Sequence, residues 1–134
     1  MTLKALMVLV SVVLMTACDE ASPTGPTVPL DSEFVLAPGQ SAVMAGTDVS
    51  IGFIRVEGDS RCPADAFCIQ GGDARVRLDV TSPGGRREYE LHTGDMQPVR
   101  HDDLTIHLVQ LVPYPFSSRT IAPDEYRVTL RVTR

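Results

Sequence analysis

Apolar side chains recur at every second position along most of the chain after residue 33. From Ala74 to Val80, for example, apolar residues alternate with charged ones. A period of two is typical of a β-strand with one buried and one solvated face. On this basis we predict eight strands, at Phe34–Ala37, Ala42–Ala45, Val49–Val56, Ala74–Val80, Glu88–His92, Gln97–Arg100, Leu104–Leu111 and Tyr126–Val132.

Two of the predicted strands change phase partway along. In one, the apolar positions shift by one residue between Phe53 and Ile54, and in the other they shift between Leu108 and Val109. A one-residue shift turns the following side chains to the opposite face of a sheet. Each shift therefore predicts a β-bulge, or a strand that passes from one sheet to another.

Turn residues separate the strands and favour one fold class. The sequence "SPGGRR" between two alternating runs is a hairpin signal. Seven or eight short strands without a convincing helix predict an all-β fold, an antiparallel β-sandwich of the immunoglobulin-like type. The phrase "IAPDEY", ending at Tyr126, resembles the tyrosine corner of such sandwiches. A small β-barrel is the alternative architecture.

The first residues have the pattern of an export signal. Lys4 precedes an apolar run from Ala5 to Ala17, which is shorter than the roughly 20 residues of a membrane-spanning helix. The run ends in "LMTAC", which resembles a bacterial lipobox. We expect cleavage of a signal peptide, residues 1–17, and acylation of the new N-terminal Cys18 by palmitate-type chains. The alternatives are an ordinary signal peptide with an incidental Cys18, or an uncleaved anchor.

The residues after Cys18 predict a tether that leads to one domain. Residues 18–33 are rich in proline, serine and threonine and contain too few apolar side chains to form a core, so a disordered linker is expected. Residues 34–134 then form a single β-sandwich domain. The expected location is the bacterial cell envelope, with the protein anchored to a membrane through acylated Cys18 and facing the periplasm or the exterior.

Charge and cysteine content narrow the classes of partner and site. The formal net charge is −5 and the arginines form no cluster, which argues against nucleic acid as a partner. Of the three cysteines, Cys18 is assigned to the lipid. Cys62 and Cys68 remain as a pair that an oxidising compartment is expected to join in a disulfide.

The loop that carries these two cysteines contains residue types that occur in metal and redox sites. A zinc site typically uses C-x₂₋₄-C pairs and a thioredoxin-like centre uses C-x-x-C, whereas the spacing here is C-x₅-C. Three loop aspartates, Asp59, Asp65 and Asp73, could hold calcium but match no EF-hand pattern. We therefore expect a structural staple, with no metal and no cofactor. No catalytic motif occurs in the sequence, so no catalytic residue is assigned and an enzyme is not expected.

Three exposed aromatic candidates suggest a binding function. Phe67 is expected at the tip of the stapled loop. In "VPYPF", Tyr114 stands between two prolines and Phe116 follows the second of them. Each could instead cover an end of the sandwich. The sequence therefore predicts a membrane-tethered binding or accessory domain for an envelope protein or glycan. The alternative function is a proteinase inhibitor that presents the Cys62–Cys68 loop.

The loop sequence also forms a longer motif, which consists of "DSRCP", four residues, a cysteine, two residues and "GGDA". Together with "FVLAPGQSAVM" and "YRVTLRV", it is similar to a group of uncharacterised bacterial secreted lipoproteins. The resemblance covers most of residues 34–134. It implies one folded domain with a staple at Cys62 and Cys68, and it implies no activity.

Overall fold

A computed structural model describes residues 25–134 of the chain. The predicted signal peptide, the lipobox and Cys18 lie outside the described residues. Nine strands occur in the described part: β1 Thr27–Val28, β2 Glu33–Leu36, β3 Ser41–Met44, β4 Ser50–Glu57, β5 Arg75–Ser82, β6 Gly85–His92, β7 Val99–His101, β8 Leu104–Val112 and β9 Arg127–Thr133. A single 3₁₀ turn, Pro123–Glu125, precedes β9.

The strands form two sheets, as the fold prediction requires. One sheet has the order β1-β3-β4-β5-β6 and the other has the order β2-β9-β8-β7. Neighbouring strands are antiparallel except for β1 and β3. The predicted antiparallel β-sandwich is confirmed. The alternative of a small barrel is wrong, because each sheet remains open.

The likeness to immunoglobulin domains lies in this two-layer architecture. Strands β3 to β6 follow one another in the first sheet, and β7 to β9 follow one another in the second. An immunoglobulin domain instead distributes consecutive strands between its two sheets. The connection order is therefore different, although the layers are the same.

The predicted alternation places the core between the two sheets. Every apolar position of Ala74–Val80 is fully buried, and the apolar positions of Tyr126–Val132 are buried as well. Phe53, Met44, Ile51, Leu78 and Leu130 are among the largest side chains excluded from solvent. All of these residues lie within 25–134, so this part of the chain contains a complete hydrophobic core.

Both predicted phase shifts are β-bulges. The pairing of β4 with β5 slips between Phe53 and Arg55. The pairing of β8 with β9 slips between Leu108 and Gln110. An extra residue in one strand reverses the side-chain phase while the strand stays in its sheet. Neither strand crosses to the other layer.

The predicted boundary between tether and domain is wrong, because the fold begins before residue 34. Strand β1 pairs with Val43 and Met44, and the carbonyl of Pro26 accepts a hydrogen bond from the Val43 amide at 2.9 Å. The Asp31 amide donates to the Val132 carbonyl at 2.8 Å. A two-residue strand between prolines is too short to show a period of two, so the sequence pattern did not reveal it.

Three connections meet at the end of the sandwich where β4 ends and β5 begins. We call this the loop end, and it comprises residues 58–74, 93–98 and 113–126. Over residues 25–134, the structure contains no helix of the length and apolarity that crossing a membrane requires.

Candidate functional site

The two domain cysteines form the predicted disulfide. The Cys62 and Cys68 sulfurs are bonded, and their Cα atoms lie 5.9 Å apart. Inside the ring, the Ala66 amide donates to the Pro63 carbonyl at 3.0 Å, which closes a turn. Just outside it, the Cys62 amide donates to the Gly71 carbonyl at 3.0 Å. The ring is thus fixed by a covalent bond and by backbone hydrogen bonds on both sides.

Arg61 fastens the loop to the second sheet. Its guanidinium is buried and binds both carboxylate oxygens of Asp59, at 2.8 Å from Nε and 2.7 Å from Nη2. The same group donates to the carbonyls of Leu111 at 2.8 Å and Pro113 at 2.9 Å. Only arginine offers a planar fork with five donors that can serve so many acceptors at once.

Asp59 is the common acceptor of this cluster. Besides Arg61, it accepts a hydrogen bond from the Tyr126 hydroxyl at 2.9 Å. Burial by itself would raise the pKa of Asp59, but the hydrogen bonds from Arg61 and Tyr126 outweigh it and lower the pKa. Burial and the bond to Asp59 raise the pKa of Tyr126 to about 12. In a tyrosine corner the hydroxyl would bond to backbone a few residues upstream, so this resemblance at Tyr126 is corrected.

The residues on either side of the ring are tied together. Ser60 Oγ donates to the Asp73 carbonyl at 2.9 Å and accepts from the Asp73 amide at 3.1 Å. Gly72 has φ +68°, and a Cβ at this position would lie 1.8 Å from the Ser60 carbonyl oxygen. Only glycine fits there. Six positions of the "DSRCP…GGD" pattern therefore make contacts that shape the loop, namely Asp59, Ser60, Arg61, Cys62, Gly72 and Asp73.

The ring also contacts the segment after β8. The Ala64 amide donates to the Pro115 carbonyl at 2.9 Å. The Asp65 carboxylate accepts from the Ser117 amide at 2.9 Å and from the Ser117 hydroxyl. These hydrogen bonds lower the pKa of Asp65. The stapled loop and residues 113–117 consequently form one continuous surface.

The aspartates considered for calcium are separated by these contacts. Asp59 pairs with Arg61, Asp65 binds Ser117, and Asp73 lies 2.6 Å from His92 Nδ1. Within residues 25–134, no three histidine, cysteine, aspartate or glutamate side chains are grouped to hold a metal ion. The structure does not bring the three loop aspartates together.

Phe67 lies at the tip of the ring and is 107% exposed, so it does not fold back over the sandwich. Ile69, just beyond the ring, is 105% exposed. We call these two residues the loop tip. The sequence analysis missed Ile69 because a single apolar residue before "QGG" has no periodic pattern to mark it.

Tyr114 and Phe116 belong to the segment that hydrogen-bonds to the stapled ring, and we call them the aromatic shoulder. Both are about half exposed, so they neither cover the core fully nor project freely. The Tyr114 ring stacks on the Arg61 guanidinium, with 5.2 Å between the guanidinium carbon and the ring centroid. This cation–π contact holds the Tyr114 ring against the buried Arg61.

A shallow cleft lies beside the shoulder. It has a volume of about 220 Å³, and its lining includes Arg61, Gly71, Met96, Leu111 and Tyr114. Pockets for drug-sized molecules typically measure about 300–1,000 Å³. The cleft is therefore suited to one side chain of a partner or a small group rather than to a large ligand.

The three histidines have separate polar partners. His101 is buried, with Nε2 3.0 Å from Ser82 Oγ and Nδ1 2.9 Å from the Tyr89 hydroxyl. His107 Nε2 lies 3.1 Å from Thr133 Oγ1. The Ser82–His101 pair has the spacing of a nucleophile and base, but both residues are buried at the end of the sandwich opposite to the loop end. Because β5 and β7 are not paired, no sequence pattern predicted this contact.

No known protein family matches the chain, and no curated protein or solved structure is significantly similar to it.

Proposed function

We propose that this protein is a lipid-anchored binding or accessory protein of the bacterial cell envelope. In this proposal residues 1–17 are a signal peptide and acylated Cys18 holds the domain at a membrane, as in the lipoproteins that "DSRCP" and its following residues resemble. The partner binds at the loop end. The observation that supports this site best is the combination of exposed apolar side chains and a rigid backbone beneath them.

A rigid loop end favours binding because little conformational entropy is lost when a partner docks. The disulfide, the Arg61 hydrogen bonds and the contact between Asp65 and Ser117 already hold the loop end in one conformation. A preorganised surface avoids much of the cost of ordering loops and side chains on association. Binding sites are often found on loops positioned by a rigid scaffold.

The chemistry of the surface favours a protein over a glycan. Aromatic residues that anchor in a pocket are enriched among the residues that dominate protein interfaces. The loop tip and the aromatic shoulder together supply three aromatic side chains, Phe67, Tyr114 and Phe116, and the aliphatic side chain of Ile69. Between Pro63 and Gly72 the single ionisable side chain is Asp65, which is already engaged with Ser117. A sugar would find few free polar groups there.

The test is crosslinking in intact cells of the organism that makes the protein, followed by purification of the protein and its crosslinked partners. The Phe116→Ser variant is compared with Val35→Ser, a matched control. Phe116 is 52% exposed on the shoulder and Val35 is 57% exposed on β2, so neither change opens the core. We expect Phe116→Ser to reduce capture of the partner at least about tenfold, as for an interface anchor, and Val35→Ser to leave it unchanged.

Equal capture by both variants would contradict the proposed site. Loss of the captured material after glycosidase treatment, with no protein band affected, would assign the site to a glycan. The intact mass of the purified protein tests the anchor separately. A mass that lacks residues 1–17 and includes acyl chains supports it, whereas an unmodified Cys18 contradicts it.

The alternative of a proteinase inhibitor is favoured by one observation, the full exposure of Phe67 next to the disulfide. The turn from Pro63 to Ala66 opposes it, because a substrate-like inhibitor offers an extended segment. A panel of serine proteinases that cleave after aromatic residues decides the question. Inhibition that disappears in Phe67→Ala would support this alternative, and no inhibition would remove it.

A further inference from the structure

We propose that Ser82 and His101, at the end of the sandwich opposite to the loop end, form a nucleophile–base pair that cleaves small carboxylic esters, with a preference for esters that carry a negative charge. This activity goes beyond the proposed function and depends neither on the anchor nor on the loop end. The sequence predicted no enzyme because no motif joins these residues. The fold brings them together from strands of two different sheets.

Both side chains occupy positions where the strand pattern predicts apolar core residues. Ser82 continues the inner face of β5 after Leu78 and Val80, which are fully buried. His101 ends β7 and is buried as well. Burying polar side chains costs free energy unless they are hydrogen-bonded, and an apolar pair would close this end of the sandwich without that requirement. Packing alone therefore does not account for a polar pair at this place.

The geometry of the pair is that of an activated serine. Ser82 Oγ lies 3.0 Å from His101 Nε2, and His101 Nδ1 lies 2.9 Å from the Tyr89 hydroxyl. We assign the proton of the neutral imidazole to Nδ1, so that Nδ1 donates to the Tyr89 oxygen and Nε2 accepts from the Ser82 hydroxyl. A nucleophile, a base in hydrogen-bond reach and a third group that orients the base are the parts of a catalytic triad. Tyr89 is the positioning residue of this set.

Asp102 adds a negative charge beside the base. One of its carboxylate oxygens lies 3.4 Å from His101 Nε2, and its side chain is 69% exposed. When His101 takes the proton of Ser82, the imidazolium that forms has this carboxylate next to it. A nearby opposite charge favours the charged form of a titratable group. Asp102 consequently assists the proton transfer from the rim of the site.

A small cavity gives access to the pair. Its volume is about 90 Å³, and Ser82, Gly84, Arg87 and His101 are among the residues that line it. One water molecule takes up about 30 Å³ of the liquid, so the cavity has room for an acetyl-sized group and not for a long acyl chain. A Cβ at Gly84 would lie 3.7 Å from Ser82 Oγ. Glycine at this position therefore leaves the approach to the hydroxyl open.

Arg87 provides a positive charge at the cavity. It pairs with Val80 across β5 and β6, so its side chain leaves the sheet on the face that carries Ser82. Within residues 25–134, no hydrogen bond or ion pair engages the Arg87 guanidinium. The neighbouring Arg86 also lines the cavity, but its Nε lies 3.0 Å from the Asp79 carboxylate. An unpaired guanidinium is suited to bind a carboxylate or phosphate, and we expect it to hold an anionic substituent of the ester.

The reaction uses the ester and water. Ser82 Oγ bonds to the acyl carbon while His101 Nε2 takes the hydroxyl proton. The ester C–O bond then breaks, and the same proton passes from Nε2 to the leaving alcohol. Water attacks the acyl-serine in turn, with His101 again as the base. This second step releases the carboxylic acid and restores the serine hydroxyl.

The test measures the hydrolysis of p-nitrophenyl acetate and of the negatively charged p-nitrophenyl hemisuccinate by the full-length protein. We expect Ser82→Ala and His101→Gln each to lower kcat/KM at least about tenfold, since a positioned base typically contributes roughly 10²–10⁴-fold. His107→Gln is the matched control, because His107 also lies beside a hydroxyl, 3.1 Å from Thr133 Oγ1. The control should keep the activity of the unaltered protein. Thermal unfolding of each variant checks that it is folded.

Two further variants separate binding from positioning. Arg87→Gln should raise KM for the hemisuccinate about two- to fivefold, since exposed ion pairs are weak, and leave KM for the acetate unchanged. Arg100→Gln, which removes an exposed arginine from the outer face of β7, should change neither value. Tyr89→Phe should lower kcat and leave KM unchanged, because the ring stays in place while His101 loses the partner that orients it.

A measurement on the unaltered protein does not depend on how any variant folds. The protein is incubated with p-nitrophenyl acetate and quenched in acid, and its peptides are mapped by mass. An acetyl group on Ser82 supports the proposal. Acetylation confined to other residues, the absence of both acetylation and hydrolysis, or equal activity of a folded Ser82→Ala variant would overturn it. Equal KM values for the hemisuccinate in Arg87→Gln and Arg100→Gln would overturn the preference for anionic esters.

Discussion

Replacing Arg61 by methionine tests whether the loop end depends on one buried ion pair. Methionine keeps an unbranched apolar chain but loses every donor of the guanidinium. The change removes both bonds to Asp59 and those to the Leu111 and Pro113 carbonyls. Asp59 then keeps its bonds from the Tyr126 hydroxyl and the backbone amide at residue 61.

The burial of the pair decides the size of the expected effect. The Arg61 and Asp59 side chains are 5% and 11% exposed. Removing one partner of a buried pair costs about 3–5 kcal/mol, whereas an exposed pair contributes about 0–1 kcal/mol. We expect Arg61→Met to lower the free energy of unfolding by about 3 kcal/mol, a large fraction of the roughly 5–15 kcal/mol typical of a domain.

The assay is urea denaturation of the chain from residue 18 with Cys18→Ser, which keeps the complete core and the disulfide. Arg55→Met is the matched control, since Arg55 pairs with Glu57 but its side chain is 53% exposed. We expect the control to change stability by less than about 1 kcal/mol. Combining Arg61→Met with Asp59→Asn should cost less than the sum of the two changes, because both break the same contacts.

Lowering the pH tests the contribution of the Asp59–Arg61 pair independently. The pKa of Asp59 is lowered in the fold, so its contribution to stability is present above the pKa of an unfolded aspartate. That contribution is lost as the pH falls through the lowered value. The loss should be smaller in Arg61→Met. If Arg61→Met costs no more than Arg55→Met, or if the acid profile is unchanged, the reasoning about this pair is refuted.

Three further changes have predictable results. Cys62→Ala combined with Cys68→Ala should lower stability by about 2 kcal/mol, the loop entropy of a seven-residue ring; a calorimetric scan with no shift would contradict this. Gly72→Ala should cost at least about 2 kcal/mol because its φ is positive and a Cβ meets backbone, whereas Gly71→Ala, with open space around it, should be nearly neutral; equal denaturation midpoints would refute the distinction. The hydrogen bond that His92 donates to the Asp73 carboxylate raises the pKa of His92. The stability that protonated His92 adds is therefore complete below about pH 6.5 and is lost as the pH rises through the raised value. Because the His92 and Asp73 side chains are both more than a third exposed, this contribution to stability should stay under about 1 kcal/mol. Unfolding curves measured at acidic and at alkaline pH should show the pH-dependent contribution in the natural protein and not in His92→Gln.

The strands and bulges could be predicted because their signals are local. Alternation within Ala74–Val80 or Tyr126–Val132 needs only a few consecutive residues, and these became the buried faces of β5 and β9. A change of phase at Phe53 or Leu108 is equally local. The disulfide followed from cysteine count and spacing, which are also properties of the sequence.

The boundary of the domain could not be read in this way. Strand β1 has two residues, and its pairing with β3 satisfies backbone groups without any side-chain pattern. Backbone hydrogen bonds are available to almost any residue type. Composition therefore predicted a disordered linker where the fold had already begun.

The strands, the phase shifts and the stapled ring could be read from the order of the residues, because each depends on residues close together in the chain. The contacts of the ring became visible only in the folded protein. Arg61 binds carbonyls fifty and more positions later, and Asp59 receives the hydroxyl of Tyr126 sixty-seven positions later. Such contacts depend on how two sheets stack. Stacking also decided that Phe67 and Ile69 remain exposed on a rigid support.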